Sequence, residues 1–128
     1  MRLGRTALWT LLKTNVAELR FLRRIEKPGF RDFRRMLCTN DSNLLLSTPG
    51  KKVLNYSPPS GSLKYDPAAK NLVVAWDIFI QNYRMINCND VEVIAVIKSS
   101  PDPQPFWKYF YERLAQMSAG QKARFMDT

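Results

Sequence analysis

Residues 16–39 read VAELRFLRRI, then EKPG, then FRDFRRMLCT. In both ten-residue segments apolar side chains alternate with charged ones, which is the period of a half-buried β-strand. Between them, Pro28 presets φ for the first corner of a tight turn and Gly29 tolerates positive φ at the second. The sequence therefore predicts a β-hairpin with strands over residues 16–25 and 30–39.

Positive charge is concentrated in the same part of the chain. The first 35 residues hold ten of the 20 Lys and Arg residues and three of the 11 acids, a net +7 out of +9. Guanidinium groups match phosphate oxygens bidentately, so this asymmetry predicts a hairpin that faces a polyanion, either RNA or single-stranded DNA. The candidate nucleic-acid-binding residues are Arg20, Arg23, Arg24, Arg31, Arg34, Arg35, Lys51, Lys52, Tyr83 and Arg84.

Each of these predictions has an ordinary alternative. The hairpin arginines could form a solvated outer face with ion pairs to Glu18, Glu26 or Asp32. They could also meet an acidic protein instead of a nucleic acid. Tyr83 beside Arg84 could stack a base, but the ring could equally belong to the hydrophobic core.

The composition argues against most catalytic and metal chemistry. The chain has no histidine, which removes the commonest general base and metal ligand. Cys38 and Cys88 cannot complete a four-ligand zinc site. We expect both thiols to be reduced and buried. A disulfide between them is the alternative if their strands are neighbours. No phosphate-cradling glycine loop is present. We predict a protein that is not an enzyme and that has no cofactor and no metal site.

The hydrophobic pattern predicts one mainly β unit, within the α+β class, with helical additions. Residues 1–15 form an amphipathic segment, residues 16–98 a small β-barrel with an insertion at about 47–71, and residues 99–128 a C-terminal helical pair. Short antiparallel strands of this number close best as a small barrel. The expected elements after the hairpin are a helical turn capped by Asp41 or Ser42, a loop over Ser47–Lys52, strands over Val53–Tyr56, Leu72–Asp77, Tyr83–Asn87 and Val91–Lys98, and helices over Gln104–Gln116 and from Ser118.

Two segments of this pattern together resemble the WYL-like small β-barrel proteins that are common in bacteriophages. Residues 29–39 read GFRDFRRMLCT and residues 73–86 read VVAWDIFIQNYRMI. They match the glycine turn, the arginine-rich strand that ends in Cys-Thr, and the later strand pair of that family. The resemblance covers about residues 16–97 and implies an Sm-like, Src-homology-3-like barrel. The connection over residues 47–71 is longer than is usual in the family, and the helices after Ser99 are additional.

The first fourteen residues contain three bases and no acid. Apolar residues fall on one helical face, which is typical both of a mitochondrial targeting helix and of an ordinary first helix that packs on the domain. No apolar run approaches the ~20 residues that a membrane-spanning helix requires. We expect a cytoplasmic protein, in the host bacterial cytoplasm if it is phage-encoded, and mitochondrial localisation is the alternative.

These observations predict an accessory or regulatory nucleic-acid-binding protein. Related WYL modules in bacterial regulators are thought to sense nucleotides or nucleic acids through basic residues, so the resemblance implies the same class of partner. The first alternative is an interaction or virion structural protein that binds an acidic partner. The second is an organellar ribosome-associated protein, and self-association into a homo-oligomer stays open in each case.

Overall fold

The computed structural model describes residues 2–22, 33–58 and 67–116. Within these ranges the chain forms four α-helices and one five-stranded antiparallel sheet, which confirms the predicted α+β class. The elements are α1 (Arg5–Leu12), β1 (Asn15–Leu22), β2 (Phe33–Thr39), α2 (Ser42–Leu45), α3 (Thr48–Val53), a 3₁₀ turn (Ala68–Lys70), β3 (Leu72–Asp77), β4 (Asn82–Asn87), β5 (Val91–Lys98) and α4 (Gln104–Gln116).

The predicted hairpin is confirmed in its described part. β1 and β2 pair in antiparallel fashion from Val16 opposite Thr39 to Leu22 opposite Phe33. The turn that the sequence predicts at Glu26–Gly29 lies outside the described residues. β1 also pairs with β5, with a shift of register between Glu18 and Leu19. The hairpin therefore supplies two of the three inner strands of the sheet.

The strand order β4-β3-β2-β1-β5 requires the sheet to curve. β4 and β5 occupy opposite edges, yet only three residues connect Asn87 to Val91. Such a connection spans at most about 14 Å, whereas the edges of a flat five-stranded sheet lie about 19 Å apart. The two edges must therefore approach each other at this end.

Hydrophobic side chains are buried on both faces of the sheet. On one face, which we call the α1 face, Leu19, Met36 and Val73 pack with Leu8 and Leu12 of α1. The opposite face, the α4 face, holds a second cluster that includes Val16, Leu37, Leu44, Leu54, Trp76, Phe106 and Phe110 and that involves α2 and α4. Burial on both faces explains why residues 72–76 are apolar without interruption, as the sequence predicted.

The segment between β2 and the 3₁₀ turn differs from prediction. Residues 47–52 were expected to be a loop and residues 53–56 a strand, but Thr48–Val53 form α3. The Ser47 hydroxyl caps this helix by accepting a hydrogen bond from the Gly50 amide at 3.0 Å. The expected cap at Asp41 is confirmed, because its carboxylate accepts a hydrogen bond from the Asn43 amide at 3.0 Å.

Gly50 permits α3 to cross close to α2. A Cβ atom at this position would lie 2.1 Å from the Leu44 carbonyl oxygen and 2.8 Å from the Leu45 carbonyl oxygen. We expect Gly50→Ala to lower the free energy of unfolding by about 1–3 kcal/mol, because the backbone of one helix must shift. Urea unfolding measures this effect.

Gly4→Ala is the matched control, because a Cβ atom at Gly4 would meet nothing within 4 Å. Both substitutions restrict the unfolded chain equally, so the difference between them isolates the clash. Equal midpoints of unfolding for the two variants would contradict the close helix crossing.

No helix in the described part of the chain is long and apolar enough to cross a bilayer. The predicted helix over Gln104–Gln116 is confirmed, and it packs through Phe106 and Phe110. The predicted helix from Ser118 lies outside the described residues.

Candidate nucleic-acid interface

The strand register places the consecutive arginines of β2 on opposite faces of the sheet. Arg34 is paired in register with Phe21 on the α1 face, and only 3% of it is exposed. Arg35 is paired with Arg20 and lies on the α4 face, partly exposed. Arg34 is therefore not accessible to an external phosphate, which corrects the prediction for this residue.

Arg34 lies against the buried carboxylate of Asp77. Its Nη2 atom is 3.4 Å from Asp77 Oδ2, and both side chains are almost fully buried. The other carboxylate oxygen accepts hydrogen bonds from the amides of Phe79 and Ile80, each at 3.1 Å, as expected for an aspartate that ends a strand. Burial raises the pKa of Asp77, and the two amides, Arg34 and Arg84 only partly offset this rise. The pair stabilises the β3–β4 turn.

On the α4 face, a second buried carboxylate gathers cations from two elements. Glu18 is 3% exposed and pairs with Arg35 Nη2 through its Oε2 atom. Arg113 Nη2 lies 3.4 Å from Glu18 Oε1, and the Tyr109 hydroxyl donates to the same oxygen at 3.3 Å. We call Glu18, Arg35, Tyr109 and Arg113 the Glu18 cluster. Burial and the neighbouring Glu18 raise the pKa of Tyr109.

Arg20 extends the positive charge beside this cluster. It stands opposite Arg35 on β2 and opposite Glu92 on β5, and it is partly exposed. Residues paired directly across neighbouring strands have Cβ atoms about 4.5–5.5 Å apart, so the charges of Arg20 and Arg35 reinforce each other. Together with Arg113, this arrangement places three guanidinium groups on the side of the sheet that carries the two acids Glu18 and Glu92.

The prediction from sequence did not include Tyr109 or Arg113. The available signal was their spacing of four residues on a helix, which places both side chains on one face. Nothing in the sequence indicates that this face meets Glu18, because the two segments are 91 residues apart.

Tyr83 and Arg84 do not form a common site. They are consecutive on β4, so their side chains point to opposite faces of the sheet. The Tyr83 ring packs at 5.1 Å from Trp76 and 6.1 Å from Tyr56, and the two tyrosine hydroxyls are 2.5 Å apart. Burial raises the pKa of Tyr83. Its ring therefore contributes to the aromatic cluster on the α4 face, while Arg84 lies on the face of Arg34 and Asp77.

The remaining predicted residues are placed as follows. Lys51 and Lys52 are exposed in the last turn of α3. Arg23, Arg24 and Arg31 lie outside the described residues. The structure therefore brings Arg20 and Arg35 together, separates them from Arg34 and Arg84, and leaves Lys51 and Lys52 on a different element.

Burial makes the surface more basic than the composition indicates. Among the thirteen Lys and Arg residues of the described ranges, only Arg34 is buried. Among the seven acids in the same ranges, Glu18, Asp41 and Asp77 are buried. Twelve basic residues therefore face at least partly outward against four acids. Burial therefore removes more negative than positive charge from the surface.

Cys38 and Cys88 are free and buried, which agrees with the prediction that both are buried and form no disulfide. Burial raises the pKa of both thiols. Within the described residues, no group of three or more Cys, Asp or Glu side chains is placed to hold a metal ion.

Comparison of the chain with protein-family models, curated proteins and solved structures finds no match.

Proposed function

We propose that this chain is a non-enzymatic accessory or regulatory protein that binds RNA or single-stranded DNA. The observation that carries the proposal is the excess of twelve outward basic residues over four acids in the described ranges. A surface with this imbalance attracts polyanions and releases their condensed counterions on binding. The ten bases within the first 35 residues direct the proposal to the hairpin end of the sheet.

The proposal extends to the finer architecture. The strand order and the three-residue link between β4 and β5 support a sheet that curls into a small Sm-like, Src-homology-3-like barrel. A closed sheet of this kind would have protected edges and a well-defined outer surface on which phosphates could be bound. The resemblance to WYL-like proteins points to the same architecture.

Different arginines have different roles in this proposal. Arg20 and Arg35 on the α4 face contact phosphates together with Arg23, Arg24 and Arg31 of the hairpin. Lys51 and Lys52 on α3, and Arg84 on the opposite face, would extend the basic surface. Arg34 is excluded from the interface, since it is buried against Asp77. Arg34 instead stabilises the sheet on which the other arginines lie.

An oligonucleotide titration at two salt concentrations tests the proposal. We expect binding at about 50 mM salt, with log K falling against log salt by roughly 0.7 per phosphate contact on a single strand. The triple variant R23Q/R24Q/R31Q should lose about two of these contacts and reduce the slope by about 1.4. Fluorescence anisotropy of a labelled oligonucleotide measures both quantities.

The variant K70Q/K108Q/K122Q is the matched control, because it removes the same charge from positions outside the hairpin segment of the sequence. It should change the slope by less than half as much. Equal losses in the two variants would contradict the hairpin interface. Absence of binding to any single-stranded oligonucleotide at about 50 mM salt would contradict the function itself.

A second candidate is binding to an acidic protein, which one cavity favours. In the described part of the chain, a cavity of about 360 Å³ opens between α3, the β3–β4 turn and α4. Its lining is mainly apolar and includes Phe79, Phe110, Tyr111 and Leu114. An aromatic pocket beside a basic surface suits a protein partner that inserts one apolar side chain into the pocket and carries acidic residues around it. This candidate replaces the first if polyglutamate binds in a salt-sensitive manner while oligonucleotides do not.

A further inference from the structure

Helix α1 presents one large aromatic side chain outward. Trp9 is 37% exposed, whereas Trp76 is 3% exposed and belongs to the core. Leu8 and Leu12 of the same helix are completely buried, so the apolar face of α1 is already in contact with the sheet. An outward tryptophan is uncommon, because this residue is highly buried on average.

One lysine contacts the Trp9 ring, and a second lies at the neighbouring end of β5. The Lys13 ammonium lies 5.3 Å from the centroid of the Trp9 ring, in a cation–π contact. Lys98 is opposite Asn15 at the start of β1, and this pairing places its Cα within about 13 Å of that of Lys13. Both lysines are exposed, and residues 1–17 contain no acid.

We propose that Trp9, Lys13 and Lys98 form a stacking site for one unpaired nucleobase and its flanking phosphates. This inference rests on the proposed function, and it selects single strands over duplexes. A base offers a π-face of the size of the indole ring, and stacking is tolerant of base identity. The lysines supply the charge that holds the phosphates on either side of the base.

A lipid surface fits this helix less well. Membrane-surface helices insert a continuous apolar face, but the apolar face of α1 is buried in the protein. Among the exposed large hydrophobic residues of the described chain, Trp9 is the one on α1. One indole ring among basic and polar residues matches a stacked base better than a bilayer.

The test compares an oligothymidylate with an abasic oligodeoxyribose phosphate of the same length. Trp9→Ala should weaken binding of the oligothymidylate about tenfold and leave binding of the abasic strand unchanged. Trp9→Phe should retain part of the affinity, because phenylalanine also stacks. Lys13→Gln should reduce the salt slope for both strands by about 0.7. Binding should quench tryptophan emission in the parent chain more than in Trp9→Phe.

Tyr111→Ala is the control, because Tyr111 is a 54% exposed aromatic residue on α4 and should not affect oligonucleotide binding. Urea midpoints confirm that each variant is folded. If Trp9→Ala binds both strands as the parent does, the stacking site is wrong while the proposed function stands. If the parent binds neither strand, the proposed function fails too. A lipid surface would replace the base if two results came together. The parent, but not Trp9→Ala, would partition onto anionic vesicles, and Trp9→Ala would bind the oligothymidylate as tightly as the parent does. This outcome would overturn the inference.

Discussion

Replacing Asp77 with alanine is expected to lower the free energy of unfolding by about 3–5 kcal/mol. The buried guanidinium of Arg34 loses the carboxylate that faces it at 3.4 Å. The amides of Phe79 and Ile80 also lose their acceptor in the β3–β4 turn. Such a loss is a large part of the total stability of a domain of this size. The midpoint of urea unfolding measures this loss of stability, provided that the free energy of unfolding depends on urea concentration with the same slope in both proteins.

Two further substitutions separate the causes of this effect. Asp77→Asn keeps an oxygen for the two amides but removes the negative charge, so its cost reports the ion pair alone. Asp102→Ala removes an exposed carboxylate that accepts a hydrogen bond from the Gln104 amide, and it should cost at most about 1 kcal/mol. If Asp77→Ala costs no more than Asp102→Ala, the buried pair does not stabilise the sheet.

The strands could be predicted because their signal is local. Apart from Asp77, Glu92 and Lys98, residues 72–77 and 91–98 are β-branched or apolar and are bounded by turn residues. The structure has strands with the same bounds. The limits of Gln104–Gln116 were also predicted correctly, because the apolar period of a helix persists over several turns. In these elements the local preference and the packing agree.

Helix α3 could not be predicted for the opposite reason. Its sequence, TPGKKV, contains a proline and a glycine and only six residues, which locally favours a turn. The helix depends on the Ser47 cap and on the close approach of Gly50 to the α2 carbonyls. A contact between two helices is a property of the packed chain, and a short window of sequence does not contain it.

The arginines show the same limit at the candidate site. Alternation along β2 implies that Arg34 and Arg35 point to opposite faces, but it does not say which face is closed. Here the face of Arg34 is closed and that of Arg35 is partly open, and Asp77 makes the burial of Arg34 tolerable. Pairing of Glu18 with Arg113 likewise depends on the position of α4, which only the tertiary structure defines.

Glu18→Gln is expected to change stability and nucleic-acid affinity in opposite directions. The variant should unfold more easily by about 3 kcal/mol, at the low end for a buried ion pair, since Arg35 and Arg113 keep about a third of their side chains in water. The same change leaves Arg20, Arg35 and Arg113 with one acid fewer. A net elementary charge at contact distance is worth about 1 kcal/mol in water, which corresponds to a roughly fivefold gain in affinity.

The opposite signs make this variant informative about the site. A residue that is only structural would weaken binding, or leave it unchanged, when its loss destabilises the fold. Glu92→Gln is the charge-matched control, because Glu92 stands opposite Arg20 at a partly exposed position and should raise affinity with little cost in stability. Anisotropy titrations at low temperature, where both variants are folded, measure the affinities. If neither variant binds an oligonucleotide more tightly than the parent chain does, the charges around the Glu18 cluster do not face the nucleic acid, and the interface must lie elsewhere on the basic surface.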